Sequence, residues 1–283
     1  SHVVAREPPK TRCRILGSGD DRRATLQGGR CRGQGRSSGG QRRQLGAEPT
    51  RRPGLSVRRV VLFDIDGTLI SGGPAKDAFC EAMLETFSTI GDVEGVSFAG
   101  KTDPQIVREL LHGAGYAQDL VESRMADLFA RYLQKLEDQL VDRPVNVLPG
   151  VPELLAALDQ IEDIGVALLT GNILRGAELK LRSAALWHYF EFGSYGSDHE
   201  ERDELPAIAL GRARRAWRET IEPADAIVVG DTPRDVSCGQ REGTRTLAVA
   251  TGHFSFRQLE ETGADYVLED LSATDEVLSL LTA

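Results

Sequence analysis

Short apolar runs punctuate the chain at Val60-Val61-Leu62-Phe63, Val166-Ala167-Leu168-Leu169, Ile227-Val228-Val229 and Leu247-Ala248-Val249, with a weaker run at Tyr266-Val267-Leu268. A polar or glycine-containing turn follows each. Runs this short and apolar at every position predict strands buried on both faces, as in a parallel sheet covered by helices. Stretches near 151–162, 176–188, 203–219 and 233–242 read as helices between them. The alternation predicts an α/β fold with a doubly wound, mainly parallel, Rossmann-like sheet.

Between the first two runs the pattern changes period. Phe79, Met83 and Phe87 share a helical face, as do Ile106, Leu110 and Leu111. A longer stripe, Val121, Met125, Leu128, Tyr132, Leu136 and Leu140, also keeps helical spacing and is most simply core packing. These residues predict an inserted α-helical cap domain over 75–145, within an α/β core formed by 59–74 and 146–283. Such a cap could close over a site at the strand ends.

Composition divides the chain further. The 283 residues carry a net charge of −9, but residues 1–59 hold 15 Lys and Arg against 4 acids, while the remainder holds 19 against 39. Residues 1–58 contain no Phe, Tyr or Trp and are crowded with Gly, Arg, Ser and Pro. They cannot bury enough apolar area to offset the entropy of ordering, so a disordered extension is expected there. An arginine-rich arm of this kind is the one place where nucleic acid or another polyanion would bind. An unselected extension is the simpler account. No apolar run approaches the roughly 18 residues needed to span a bilayer, so no membrane partner is expected. The four cysteines form no close-spaced pair, which predicts neither a disulfide scaffold nor a zinc finger and suits a reducing, cytoplasmic setting.

In doubly wound sheets, ligands bind beyond the carboxyl ends of the strands. The first run ends in Asp64-Ile65-Asp66-Gly67-Thr68-Leu69, the second in Thr170-Gly171-Asn172, and the third in Gly230-Asp231-Thr232-Pro233-Arg234-Asp235. Carboxylates from two strand ends and a hydroxyl with adjacent N–H groups from another would converge on one edge. Clustered carboxylates repel unless a cation joins them, and hard oxygen donors beside an anionic substrate favour Mg²⁺. The middle motif is a natural anion cradle near a helix N-terminus.

These three motifs, in order and each at a strand end, resemble those of the haloacid-dehalogenase-like superfamily, specifically its helical-cap phosphatases of the phosphoglycolate phosphatase type. The resemblance covers about residues 59–275. It implies a Mg²⁺-dependent phosphomonoester hydrolase acting on a small phosphorylated metabolite. Asp64 would be the nucleophile that forms an aspartyl-phosphate, and Asp66 the acid and base. Asp64, the backbone carbonyl of Asp66, and Asp231 would hold the metal, with Asp235 supporting the metal site or a nearby cation. Thr170, Gly171 and Asn172 would bind phosphoryl oxygens.

The family usually places a lysine between its second and third motifs. After Lys135 the chain has only Lys180, which reads as mid-helix, whereas Arg202 lies 29 residues before Asp231 at a loop-to-helix junction. The role is assigned to Arg202, with Lys180 as the alternative; arginine keeps the charge but is geometrically stricter. Retention of Asp66 points to phosphoester chemistry. A phosphomutase of the same fold is the chief alternative, and a non-catalytic phospho-ligand sensor a remoter one.

Gly95-Val96-Ser97-Phe98-Ala99-Gly100-Lys101-Thr102 satisfies the Walker A pattern letter for letter. A P-loop NTPase needs a buried strand just before that loop. Ser88-Thr89-Ile90-Gly91-Asp92-Val93-Glu94 is polar and broken by glycine, so the strand is not expected. The resemblance to the capped hydrolases, in which a similar loop dips toward the active site, implies that Lys101 and Asp103 read better as substrate contacts.

Overall fold

The computed structural model describes residues 57–283. The expected extension lies outside the described residues up to position 56. Val57 is buried and the Arg58 N–H donates to Asp163 O at 2.8 Å, so these two residues join the fold.

The apolar runs form the sheet: β1 (Arg59–Phe63), β4 (Ile164–Thr170), β6 (Ala226–Gly230), β7 (Arg245–Val249) and β8 (Tyr266–Leu268). A further strand, β5 (Gly193–Tyr195), carries no apolar run and was not expected. It is three residues long and is specified by parallel pairing of Leu168–Thr170 with Gly193–Tyr195 rather than by its own side chains. All pairings are parallel, in the order β5-β4-β1-β6-β7-β8. The alternation of β1 explains the burial: Val61 and Phe63 enter one apolar cluster, Val60 and Leu62 another on the opposite face. Full burial of such side chains is worth about 1.5–3 kcal/mol each.

Strand order reverses at β1, since β4 and β5 lie on one side and β6, β7 and β8 on the other. Such a switch point opens a crevice beyond the strand ends. The flanking helices are α4 (Val151–Leu158), α5 (Leu174–Ser183), α6 (Leu205–Trp217) and α7 (Pro233–Glu242). Helix α5 stops earlier than the predicted 188 because Ala185 adopts a left-handed φ of 57° and Leu186 N–H turns back to Leu181 O at 2.8 Å. Two short C-terminal helices, α8 (Phe256–Glu260) and α9 (Thr274–Thr282), were also unanticipated.

The inserted segment is helical: α1 (Ala75–Phe87), α2 (Asp103–Gly113) and α3 (Gln118–Leu140). Its apolar stripes meet as periodicity required, and Met83, Leu110, Leu111, Leu128 and Leu136 are fully buried. A two-residue antiparallel pair, β2 (Ile70–Ser71) with β3 (Asn146–Val147), ties the outgoing and returning chains together where the cap leaves the core. No described helix is long and apolar enough to cross a membrane.

Candidate active site

The switch point places Asp64 just beyond β1, where its N–H donates to Val229 O at 2.9 Å. Asp231 follows β6. Between them the chain turns sharply at Gly67, whose φ is +91°. A side chain there would be strained and would also collide with the Asp231 carboxylate, so glycine is required twice over. Thr251 Oγ1 donates to Gly67 O at 2.5 Å and steadies the turn.

Asp235 sits in the first turn of α7 in a reciprocal cap. Thr232 Oγ1 accepts from Asp235 N at 3.3 Å, while Asp235 Oδ2 accepts from Thr232 N at 3.0 Å and from Thr232 Oγ1 at 2.6 Å. Its other oxygen accepts from Arg202. That guanidinium bridges two carboxylates, since Arg202 Nη2 also donates to Asp64 Oδ1 at 2.9 Å. Arg202 is 3% exposed, and its Nε has no hydrogen-bond partner among the described residues. Burial alone would lower its pKa, but the adjacent Asp235 and Asp64 hold it well above the ordinary arginine value.

One guanidinium does not balance three carboxylates. Asp64, Asp231 and Asp235 are all buried and present oxygens within 4.8 Å of one another. Asp231 accepts only a 3.4 Å bond from Thr68 Oγ1 among described side chains and makes no ion pair among the described residues. Burial, reinforced by the negative charges of Asp235 and Asp64, pushes its carboxyl up to about 9. Burial likewise raises Asp64 to about 7 against the opposing pull of Arg202. A compact set of hard, mutually repelling oxygen donors fits a divalent cation, which would relieve that repulsion.

Thr170, fully buried at the end of β4, accepts from Asn172 N at 3.3 Å and from Asn172 Nδ2 at 2.9 Å. The Asn172 amide also donates to Asp66 Oδ2 at 2.7 Å. Lys180, from the middle of α5, donates to both Asp66 oxygens at 2.9 and 2.7 Å and to Asn172 Oδ1 at 2.7 Å. The two candidate cations therefore serve different carboxylates: Arg202 holds Asp64 and Asp235, whereas Lys180 holds Asp66.

Both cap candidates reach this region. Asp103 N–H donates to Gly171 O at 2.8 Å, and Asp103 Oδ2 accepts from Ile173 N at 2.8 Å. A Cβ at Gly171 would strike the Lys101 carbonyl, so the cap loop and the cradle loop touch backbone to backbone. Asp103 thus clasps the cradle, and burial raises its carboxyl to about 6 despite the attraction of Lys180. Lys101 lines the cavity but is paired with Glu109. Residues 88–94, just before Gly95, form no strand and follow helix α1, so the Walker A letters lack their required context.

The cavity between cap and core measures about 500 Å³ and is lined by Asp64, Asp66, Thr170, Asn172, Arg202 and Asp231 on the core side. Its cap side includes Phe79, Phe98, Ile106 and Tyr132. Tyr132 was expected only as core packing. Helical spacing identified its buried face but not that the face also borders a cavity; a lone hydroxyl in an otherwise apolar stripe was the available signal.

The family model for haloacid dehalogenase-like hydrolases matches residues 61–249. The chain belongs to that family. Among curated relatives of this haloacid dehalogenase-like hydrolase, phosphoglycolate phosphatase 1 of Pseudomonas aeruginosa is 29% identical over 215 residues, spanning 75% of this chain and 77% of the relative. N-acetylmuramic acid 6-phosphate phosphatase of Pseudomonas putida is 30% identical over 225 residues, spanning 75% and 92%. The crystal structure of a hydrolase from Pseudomonas syringae shares the fold, with a TM-score of 0.56 at 21% identity over 80% of this chain and 99% of that one. The protein is an enzyme, a phosphatase of the haloacid dehalogenase-like type.

Proposed function

We propose that this phosphatase hydrolyses small phosphomonoesters with Mg²⁺ through an aspartyl-phosphate on Asp64. The observation that carries the reading is the buried cluster of Asp64, Asp231 and Asp235 beside Arg202, at the floor of a cavity that Thr170 and Asn172 also line. Asp64, the backbone carbonyl of Asp66, and Asp231 would hold Mg²⁺, while Asp235 fixes Arg202. Bound there, the ion would offset charge on the carboxylates and on the phosphoryl group.

In the first step a carboxylate oxygen of Asp64 forms a bond to phosphorus as the phosphorus–alcohol oxygen bond breaks. Asp66 gives its proton to the departing alkoxide. Asp66, now ionised, then removes a proton from water as the water oxygen attacks phosphorus, which releases phosphate and restores Asp64. Lys180 and Asn172 hold the Asp66 carboxyl in place, and the Lys180 charge favours its ionised form, which serves the second transfer. Arg202 favours the ionised, nucleophilic form of Asp64. The Thr170 hydroxyl and the backbone N–H groups that follow bind phosphoryl oxygens.

The test is phosphate release from a panel of phosphomonoesters, phosphoglycolate included, with and without Mg²⁺, for wild type and Asp64→Asn. Release is expected to require Mg²⁺ and to fall at least about 1,000-fold in the variant. Release that persists undiminished in Asp64→Asn would remove Asp64 from the nucleophile role. Folded protein inert across the panel would end the phosphatase mechanism proposed here.

A further inference from the structure

The floor of the cavity explains how a phosphoryl group would be handled, but not what the phosphoryl group is attached to. That choice falls to the opposite wall. Three rings meet there: Phe79 packs edge-to-face against Phe98 with centroids 5.9 Å apart and against Tyr132 at 5.7 Å. Ile106 extends the same apolar surface. The Tyr132 side chain is buried and lines the cavity, yet its hydroxyl has no hydrogen-bond partner among the described residues. A hydroxyl that lines a cavity without a protein partner is free to pair with a group on a bound ligand.

Charge on the wall is equally selective. Lys101 is occupied by Glu109, Lys180 by Asp66 and Asn172, and Arg202 by Asp64 and Asp235. Lys76 lines the cavity too, but its side chain is 57% exposed and the ammonium lies 5.8 Å from the Phe98 ring centroid. A carboxylate carried into the interior would therefore meet no unengaged buried cation among the described residues. The space of about 500 Å³ is in the range that accommodates ligands well beyond a two-carbon acid.

We infer that the preferred substrate is the phosphate monoester of an uncharged cyclic polyol, with an apolar ring face against Phe79 and Phe98 and a hydroxyl paired with Tyr132. This rests on the phosphomonoester hydrolase reading and narrows it away from short phosphorylated acids. Tyr132 becomes a specificity-determining residue. Pockets built to pair a substrate hydroxyl discriminate strongly against analogues that lack it, because the buried polar group is then stranded.

The experiment compares kcat/KM for glucose 6-phosphate, myo-inositol 1-phosphate, benzyl phosphate and 2-phosphoglycolate, in wild type and Tyr132→Phe. 4-Nitrophenyl phosphate, whose leaving group needs little assistance, reports the phosphatase chemistry separately. At least one cyclic polyol phosphate is expected to exceed 2-phosphoglycolate by tenfold or more. Tyr132→Phe should raise KM for that ester at least fivefold and for benzyl phosphate by less than twofold. Equal or greater efficiency on 2-phosphoglycolate overturns the inference, as does a Tyr132→Phe effect of the same size on the polyol and benzyl esters. Asp64-dependent cleavage of 4-nitrophenyl phosphate alongside either result leaves the phosphatase mechanism standing; its absence, with every other ester inert, brings down both. Should Tyr132→Phe fail to fold, Phe98→Ala replaces it, with the polyol-to-glycolate preference expected to shrink at least fivefold and an unchanged preference counting against the inference.

Discussion

On the core side of the cavity, short charged side chains project from strand ends and almost every one is held by a partner: Asp64 and Asp235 by Arg202, Asp66 by Lys180 and Asn172. On the cap side, large apolar side chains project from α1, α3 and the loop before α2, and the Tyr132 hydroxyl is left unpaired among the described residues. Strands buried on both faces cannot shift without breaking the sheet, so groups at their ends are fixed within narrow limits. Helices packed through apolar stripes tolerate more change at the surface they present. The comparison puts the proposed chemistry on the floor and the proposed selection on the roof, and substitutions on each side test the two separately.

The largest effect belongs to the floor. Asp231→Ala removes the carboxylate of the cluster that forms no ion pair among the described residues. Activity should fall about 100-fold or more, and the Mg²⁺ concentration for half-maximal rate should rise. A loss of rate with unaltered Mg²⁺ dependence would detach Asp231 from the metal site. Next comes Arg202→Ala, which strips the shared cation from Asp64 and Asp235 and should cut kcat at least tenfold. Arg202→Lys keeps the charge and should recover part of that loss. If Lys180→Ala damages kcat while Arg202→Ala does not, the role lies with Lys180.

How far these residues could be read without a structure follows from the same contrast. The strands β1, β4, β6 and β7 were visible because burial on both faces leaves an uninterrupted apolar run. The strand β5, Gly-Ser-Tyr at the sheet edge, was not, because its pairing partner specifies it. Asp64, Asp66, Thr170 and Asp231 were legible because strand ends have a known destination in this architecture. Arg202 surfaced through the missing lysine with Lys180 as its alternative, but nothing in the spacing revealed that both would reach the site, each on different carboxylates. Tyr132 was hidden for a different reason: periodicity tells which face of a helix is buried, never whether that face packs against protein alone or also borders a cavity.

A roof perturbation should act on stability and substrate affinity more than on kcat. Leu128, fully buried on α3, does not line the cavity, and Leu128→Ala should cost about 2–5 kcal/mol through the void it leaves. Chemical denaturation reads the loss directly. At a temperature where the variant remains folded, kcat should stay within about threefold of wild type while KM rises. An equal fall in kcat would mean that cap packing also sets the geometry of the floor.

The smallest effect tests the seam where the halves meet. Asp103 belongs to the cap but holds the cradle through Ile173 N–H, and burial lifts its carboxyl to about 6 from an ordinary 3.8. The folded protein therefore binds this proton more tightly than the unfolded chain does. Between about pH 4 and pH 6, stability from this group declines as pH rises, because a buried charge is formed that the unfolded chain leaves in water. Above pH 6 the penalty is complete. Asp103→Asn keeps an oxygen for the Ile173 N–H and removes the charge, at the expense of the attraction to Lys180. The variant should be more stable than wild type at pH 8, by on the order of 1 kcal/mol, and the gap should close toward pH 4. Paired thermal melts across that range check the sign. A gap that widened as pH fell would mean that the carboxylate is net stabilising in its charged form, and that the Lys180 attraction outweighs burial where cap and core join.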